Sequence, residues 1–200
     1  MTLPSYLREN REFFGPRAHG WEDRFPGDEP VFQRAIDELG LRPGATVLDV
    51  GCGPGRALPL LRAAVGPEGR VIGLDATPEM LAEATRLGRG HAAALLLGDG
   101  QQLCLADATV DAILAAGFLP HVSDPEVGLA ELARVTRPTG RLAIFHPIGR
   151  MALAARHGGA PSDDDAISPA RLPSLLRAAG WEPGPIDDAP DRYLALATRR

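Results

Sequence analysis

The fold that this sequence predicts is decided by TVLDVGCGPGRAL, the stretch at residues 46–58. Its first part, VLDV, is a short apolar run of the kind found in strands buried on both faces of a sheet. The glycines of residues 51–55 then predict a sharp turn, and residues 56–65 predict a helix. A strand, a glycine turn and a helix start together form a ligand site. We expect the free N–H groups of the turn and of the helix start to face that ligand.

The spacing of the glycines distinguishes two classes of nucleotide site. A dinucleotide fingerprint, G-x-G-x-x-G/A, needs a small residue at its sixth position, where this chain has Arg56. The pattern is instead D-x-G-x-G-x-G, beginning at Asp49. It resembles motif I of the class I S-adenosylmethionine-dependent methyltransferases, in particular the small-molecule enzymes with a methyltransferase-11-like domain. The resemblance covers residues 30–200 and implies S-adenosylmethionine as cofactor and S-adenosylhomocysteine as product.

Two acids at the ends of later strands agree with this interpretation. Asp75 ends the apolar run at residues 71–75, about 20 residues past the turn, where a doubly wound sheet places a carboxylate that binds ribose hydroxyls. Asp99 follows the run at residues 92–97, and the resemblance implies that it binds the adenine amino group. Other interpretations stay open: Asp75 as an ordinary strand-end acid, and Asp99 as a turn residue that caps its own backbone.

The resemblance also assigns the remaining cofactor contacts. Thr77 is a predicted N-cap for a helix at residues 78–87, and Met80 on that helix is expected beside the adenine, with core packing as the alternative. The complete set of predicted cofactor contacts is Asp49, Gly51, Cys52, Gly53, Gly55, Asp75, Ala76, Met80, Asp99, Gly100, Gln101, Ala116, Gly117 and His121.

Two histidines are candidates for a catalytic base, because imidazole has a suitable ordinary pKa for removing a proton from an acceptor. His121 follows the predicted fourth strand, at residues 110–115, and His146 follows the fifth, at residues 141–145. The alternative is structural: His121 bonds backbone near the cofactor, and His146 orders the loop before Pro147.

The alternation of strands and helices predicts an α/β fold. We expect a doubly wound, Rossmann-like sheet of seven strands, mainly parallel, with an antiparallel strand from a C-terminal hairpin. Residues 137–140 are a predicted turn, and residues 151–167 are predicted to be irregular. Residues 30–200 form the predicted cofactor-binding domain.

Residues 1–29 form a predicted N-terminal lid or helical segment that carries many of the aromatic side chains. Trp21 and Arg24 are the residues that we expect to close over cofactor and substrate. Packing of this segment against the sheet is the alternative.

Composition restricts the function further. A net charge of −5 gives no general case for nucleic acid as a partner, and no apolar run approaches the ~20 residues of a membrane span. Two cysteines are too few for a disulfide framework or a metal site, so we expect no metal. The N-terminus lacks the pattern of a signal peptide, which predicts a cytoplasmic protein. The sequence does not indicate an oligomeric state.

The predicted function is therefore transfer of a methyl group from S-adenosylmethionine to an O, N or C atom of a small-molecule acceptor. Two alternatives remain: a non-catalytic S-adenosylmethionine-binding regulator or assembly protein, and a nucleotide-dependent dehydrogenase. Fold alone does not decide between these classes.

Overall fold

The computed structural model describes residues 3–24, 26–156 and 158–200, without the side chain of Arg24. The strands are β1 (Thr46–Val50), β2 (Arg70–Asp75), β3 (Ala94–Leu97), β4 (Val110–Ala116), β5 (Thr136–His146), β6 (Trp181–Ala189) and β7 (Arg192–Arg199). The α-helices are α1 (Ser5–Phe14), α2 (Glu29–Leu39), α3 (Leu58–Val65), α4 (Pro78–Arg86), α5 (Pro125–Val135), α6 (Arg150–Arg156) and α7 (Leu172–Ala178). No helix within the described residues is long and apolar enough to cross a membrane.

The seven strands form one sheet in the order β3-β2-β1-β4-β5-β7-β6. The pairings from β3 through β5 are parallel, whereas β7 runs antiparallel to both of its neighbours. This arrangement confirms the predicted sheet, including its antiparallel hairpin strand. The chain reverses its winding direction at β1, because β2 lies on one side of it and β4 on the other. Ligands bind near such a reversal in open α/β sheets.

Alternate residues of β1 enter two separate cores, one on each face of the sheet. Val47 packs with α2 and α3, whereas Leu48 and Val50 pack with α5 and α7. Side chains alternate between the faces of a strand, so a central strand covered on both sides needs apolar residues at consecutive positions. The buried acid Asp49 is the exception within β1.

Several predicted boundaries are wrong. Strand β5 begins at Thr136, so the predicted turn at residues 137–140 lies inside a strand. The strand remains irregular there: Thr139 has a φ of 64°, and the pairing of β4 with β5 shifts register. Helix α6 begins one residue before the segment predicted to be irregular and occupies its first part, and α3 begins at Leu58, two residues later than predicted.

Helix α1 lies across the carboxyl ends of the parallel strands. Its side chains bond to residues that follow β2, β3 and β4. A short 3₁₀ helix, Glu22–Arg24, then contacts the glycine turn from the other side, through arginines described below. The N-terminal segment therefore covers the edge of the sheet where the ligand site is expected.

Candidate cofactor and acceptor site

The glycine turn after β1 is fixed by hydrogen bonds to β2. The N–H groups of Gly51 and Cys52 donate to the carbonyl of Leu74 at 2.8 and 3.0 Å, and the N–H of Gly53 donates to Asp75 Oδ2 at 2.8 Å. The prediction that the N–H groups of the turn are free is therefore wrong for these three residues. The bonds require positive φ angles, 71° at Gly51 and 55° at Gly53, which glycine adopts without strain.

Asp49 lies beneath this turn and has no hydrogen-bond partner among the described residues. Its side chain is almost completely buried, at 1% exposure, and both carboxylate oxygens are unpaired. Burial, followed by the nearby charge of Asp75, raises the pKa of Asp49 to about 8. A buried carboxylate without a partner is costly. It is therefore a place where a cationic or proton-donating ligand group would be favourable.

Asp75 ends β2 and is held by backbone donors. Its Oδ1 accepts a hydrogen bond from the N–H of Thr77 at 2.8 Å, and Oδ2 accepts the bond from Gly53. Burial raises the pKa of Asp75, although these backbone bonds act in the opposite direction. The carboxylate is thus fixed, and it retains lone pairs for further donors. Thr77 occupies the predicted N-cap position of α4, but its side chain does not cap the helix.

Met80 and Ala76 lie close to the turn and to α1, respectively. Met80 is 2% exposed, and its sulfur would lie 3.9 Å from a Cβ placed on Gly53. The carbonyl of Ala76 accepts a hydrogen bond from Arg11 of α1 at 2.7 Å. Both residues therefore border the same edge of the sheet as Asp75.

Asp99 and Gly100 follow β3 and contact residues that the sequence did not single out. Asp99 accepts hydrogen bonds from its own turn, at Gln101, and from Tyr6 of α1. A Cβ on Gly100 would lie 2.6 Å from Cζ of Phe118, so the glycine is needed for this aromatic ring to pack there. The side-chain oxygen of Gln101 accepts from the N–H of Ser123 at 2.7 Å, which directs this side chain toward the loop after β4.

His146 lies at the carboxyl end of β5 and lines a small, mainly apolar cavity of about 10 Å³. Gly117, Leu153 of α6 and Tyr193 of β7 are among its other lining residues. His146 and Tyr193 are directly paired across β5 and β7. The cavity therefore joins the end of β4, which the sequence assigns to the cofactor, to a region covered by α6.

The ring of His146 is oriented by its own chain. Its Nδ1 lies 3.0 Å from the carbonyl oxygen of Ile148 and 3.2 Å from the N–H of the same residue. A neutral imidazole satisfies only one of these contacts at a time, because Nδ1 either carries a proton or a lone pair. When Nδ1–H donates to the carbonyl, the proton of the neutral ring is on Nδ1 and the lone pair is on Nε2. The same contacts also order the loop before Pro147, as the alternative interpretation expected.

His121 belongs to the lid side of the site. Its ring packs edge-to-face against Phe14 of α1, with 4.9 Å between ring centroids. Trp21 also packs edge-to-face against Phe14, with 5.6 Å between centroids. His121 is exposed and is absent from the lining of the cavity beside His146. Arg24 ends the short 3₁₀ helix, and its side chain lies outside the described part of the structure.

A group of ion pairs fastens the N-terminal segment to the glycine turn, and no motif in the sequence indicates it. Arg89 donates to both carboxylate oxygens of Glu22, at 2.6 and 2.8 Å, and to the carbonyl of Pro54 in the turn at 2.6 Å. Arg56 donates to the Glu22 carbonyl at 3.1 Å and lies 3.5 Å from Asp28. These residues line a cleft of about 360 Å³ on the outer side of the turn.

The polar atoms of the site select the kind of ligand. Asp75 and Asp99 accept hydrogen bonds and disfavour anions, Asp49 is a buried acid without a partner among the described residues, and the N–H groups of Gly51 and Gly53 are already engaged. A dinucleotide needs free N–H groups for its negatively charged pyrophosphate. A nucleoside that carries hydroxyl, amino and positively charged groups matches the three acids.

Comparison with known proteins agrees with this geometry. A methyltransferase-domain family matches residues 48–144. The chain is 31% identical over 205 residues to a 2-phytyl-1,4-naphtoquinone methyltransferase of Thermosynechococcus vestitus, covering 90% of this chain and 86% of that protein. It belongs to the S-adenosylmethionine-dependent methyltransferases of class I fold.

Two further comparisons give the extent of the likeness. The nocamycin O-methyltransferase of Saccharothrix syringae is 33% identical over 177 residues, which cover 80% of this chain and 62% of that protein. The crystal structure of a SAM-dependent methyltransferase from Aquifex aeolicus superposes with a TM-score of 0.71 at 26% identity, covering 100% of both chains. The chain spans between 33% and 62% of the length of three of the curated relatives that it matches, and the nocamycin enzyme is one of these three.

Proposed function

We propose that this protein transfers a methyl group from S-adenosylmethionine to an O, N or C atom of a small-molecule acceptor. The observation that carries the proposal is the combination of three carboxylates at the ends of β1, β2 and β3 with a glycine turn whose N–H groups are already bonded. This combination suits a cationic nucleoside and disfavours a dinucleotide. The names of two relatives, a nocamycin and a naphthoquinone methyltransferase, support a small-molecule acceptor.

The residues present fit S-adenosylmethionine, because the cofactor offers a different hydrogen-bond donor to each of the three acids. Asp75 and Asp99 would accept from the ribose hydroxyls and the adenine amino group. The buried Asp49, which has no partner among the described residues, would face the amino group of the methionine part. The other proposed contacts lie around these acids: Gly51, Cys52, Gly53, Gly55, Ala76, Met80, Gly100, Gln101, Ala116, Gly117 and His121. Phe118, packed on Gly100, joins this set as an apolar wall.

Cys52 contributes shape and not reactivity in this proposal. Burial, followed by the charges of Asp49 and Asp75, raises the pKa of its thiol well above the ordinary value. A thiol held in its neutral form is a poor nucleophile. Cys52 and Cys104 are both free, which accords with the proposed cytoplasmic location.

S-adenosylmethionine supplies an electrophilic methyl group, so the protein needs to orient the acceptor, exclude water and, where required, remove a proton. We assign the last task to His146, because it lines the cavity next to Gly117 and its Nε2 carries the lone pair when Nδ1–H donates to Ile148. The carbonyl of Ile148 also stabilises the protonated ring. His121, on the lid side, is assigned to the cofactor.

The acceptor would enter above β4 and β5, where α6 covers the cavity through Leu153. At about 10 Å³ the cavity holds no acceptor in the closed arrangement, so movement of α6 or of the N-terminal lid at residues 1–29 would accompany entry. The relatives named as methyltransferases favour an enzyme over a non-catalytic S-adenosylmethionine-binding regulator. The apolar lining of the cavity favours an uncharged acceptor.

The test is calorimetric titration with S-adenosylmethionine and S-adenosylhomocysteine, on the wild type and on Asp75→Ala. We expect micromolar binding that weakens at least tenfold in the variant, because a bidentate ribose contact to a buried carboxylate is lost. Asp163→Ala, which makes the same change at an exposed acid, is the matched control and should bind as the wild type does. Failure of the wild type to bind either ligand would refute the proposed cofactor and the proposed reaction.

Loss of turnover in His146→Gln with unchanged binding of S-adenosylhomocysteine would establish the proposed base. The assay is release of S-adenosylhomocysteine with a panel of phenolic, amine and enolic acceptors. Equal turnover of the wild type and His146→Gln on an accepted compound would remove the base from the mechanism and leave orientation as the contribution of the protein.

A further inference from the structure

Helix α1 bonds to the ends of several strands through one of its faces. Tyr6, Asn10 and Arg11 are spaced i, i+4 and i+5, so they project from the same side of the helix. Arg11 donates to the carbonyl of Ala76, after β2, at 2.7 Å, and Asn10 donates to the carbonyl of His121, after β4, at 2.8 Å. These two bonds place α1 over the nucleoside end of the proposed cofactor site.

The third bond reaches a side chain that has a proposed role of its own. The hydroxyl of Tyr6 donates to Asp99 Oδ2, and the N–H of Gln101 donates to Oδ1 at 2.8 Å. One donor thus comes from the turn after β3 and the other from a helix more than 90 residues earlier in the chain. Together they fix both oxygens of a partly exposed carboxylate that would otherwise rotate freely.

The carboxylate keeps capacity for a ligand while Tyr6 is bonded to it. Two carboxylate oxygens offer about four acceptor positions, of which two are occupied here. Burial, followed by the hydrogen bond from Tyr6 to Asp99, raises the pKa of Tyr6, so that its hydroxyl remains protonated and acts as a donor. A third donor, such as an exocyclic amino group, can therefore join Asp99 without displacing the tyrosine.

We propose that Tyr6 is a positioning residue for adenine recognition: it holds the Asp99 carboxylate toward the adenine amino group and couples that contact to the closed position of α1. The inference rests on the proposed function, because it requires the nucleoside to bind at Asp99. It assigns the lid a role in choosing the base of the cofactor, in addition to covering it. Tyr6 acts through Asp99 and does not itself need to touch the nucleoside.

The experiment compares two nucleosides that differ only at the group that Asp99 would bind. S-adenosylhomocysteine has a 6-amino donor, whereas its purine-riboside analogue carries hydrogen at C6 and keeps N1 as an acceptor. Calorimetric titration gives the ratio of their dissociation constants for the wild type, Tyr6→Phe, Asp99→Ala and the double variant. A ratio is the informative quantity, because a general loosening of α1 weakens both ligands by the same factor.

We expect the wild type to prefer S-adenosylhomocysteine at least tenfold, because a site built around a hydrogen bond rejects the analogue that lacks the donor. Tyr6→Phe should bind S-adenosylhomocysteine about fivefold to tenfold more weakly and should lose most of the preference. In the Asp99→Ala background, Tyr6→Phe should leave the ratio unchanged. Glu9→Gln, on the exposed side of α1, is the control for the helix and should behave as the wild type.

Three results would overturn the inference. An unchanged ratio in Tyr6→Phe, with or without weaker binding, would reduce Tyr6 to a general lid contact. Tighter binding by Tyr6→Phe would show that the tyrosine competes with the cofactor for Asp99. Absence of S-adenosylhomocysteine binding by the wild type would refute the proposed function and this inference with it, whereas the first two results leave the proposed function intact.

Discussion

Asp49→Asn is expected to change how the stability of the protein depends on pH. The substitution keeps the size of the side chain and removes a carboxylate that is 1% exposed and unpaired among the described residues. Burial and the charge of Asp75 raise the pKa of Asp49 to about 8, whereas the unfolded chain has an ordinary aspartate pKa of about 3.9. At a pH between these two pKa values, Asp49 is therefore protonated in the folded protein and ionised in the unfolded chain.

The sign and the magnitude follow from this difference. When the folded state binds more protons, the free energy of unfolding falls as pH rises, by about 1.4 kcal/mol per pH unit for one group. Ionisation of Asp49 therefore lowers the free energy of unfolding by about 3 kcal/mol between pH 5 and pH 7, and this decrease ends near the folded pKa of about 8. Asp49→Asn removes this contribution, so its stability should exceed that of the wild type increasingly as pH rises through this window.

Urea unfolding at constant ionic strength, at pH 5 and at pH 7, measures the effect in the ligand-free protein. Groups that both proteins share and that lie far from Asp49 contribute equally and cancel in the comparison. Asp163→Asn, at an exposed position, is the matched control and should keep the pH dependence of the wild type. Parallel pH profiles of the wild type and Asp49→Asn would refute the argument that this carboxylate is protonated in the folded state.

The same group links cofactor binding to proton release. A positively charged amino group placed beside Asp49 would lower the pKa of the carboxylate, so binding at pH 7 should release up to about one proton. Calorimetry of S-adenosylhomocysteine in buffers of different ionisation enthalpy detects this proton. Asp49→Asn should lose the release, and equal release by the variant would exclude Asp49 as its source.

Three further perturbations test the walls of the site. Gly100→Ala should cost about 1–3 kcal/mol of stability in urea unfolding and should weaken S-adenosylhomocysteine binding, because its Cβ would lie 2.6 Å from Phe118 and 3.0 Å from Val50. Gly90→Ala, whose Cβ meets no atom within 4 Å, is the control, and equal stability losses would show that the ring of Phe118 moves freely. Glu22→Gln should remove the paired contacts to Arg89, so that S-adenosylhomocysteine dissociates faster and the dissociation rate depends less on salt. Stopped-flow fluorescence measures this rate, and an unchanged rate would show that the ion pair does not contribute to lid closure. The guanidinium of Arg150 donates to the Ser162 carbonyl at 2.5 Å and pairs with Asp165 and Asp188. Arg150→Met should therefore destabilise the protein by about 2 kcal/mol and accelerate hydrogen exchange at residues 150–167. Slow exchange in the variant would contradict that role.

The fold was accessible to prediction because its signals are local. Apolar runs of four to six residues give buried parallel strands, and glycine or proline marks most element ends. Prediction failed at residues 137–140, where a turn-like sequence continues as a strand. There Gly140 packs its backbone against the Asp111 carbonyl of β4, and this long-range contact outweighs the local turn preference.

The acids of the site were also identified from local sequence, since Asp49 and Asp75 lie within the last two residues of a strand and Asp99 follows one. Their hydrogen-bond partners were not, because those partners come from other parts of the chain. Tyr6 reaches Asp99, and Leu74 of β2 takes the N–H groups that the sequence assigned to the ligand. A glycine turn has the same sequence whether its N–H groups are free or bonded. Only the position of the neighbouring strand decides between the two.

The sequence by itself determined the doubly wound sheet, the turn after β1 and the three strand-end acids, because each depends on residues within one element and the turn that follows it. The tertiary structure decided what those residues offer a ligand. It left Asp49 buried without a partner in the described part of the chain, engaged the N–H groups of Gly51 and Gly53, and separated His146, which lines a cavity, from His121, which packs against Phe14 of α1. Burial and long-range hydrogen bonding set charge and availability, and neither is written in the spacing of residues along the chain.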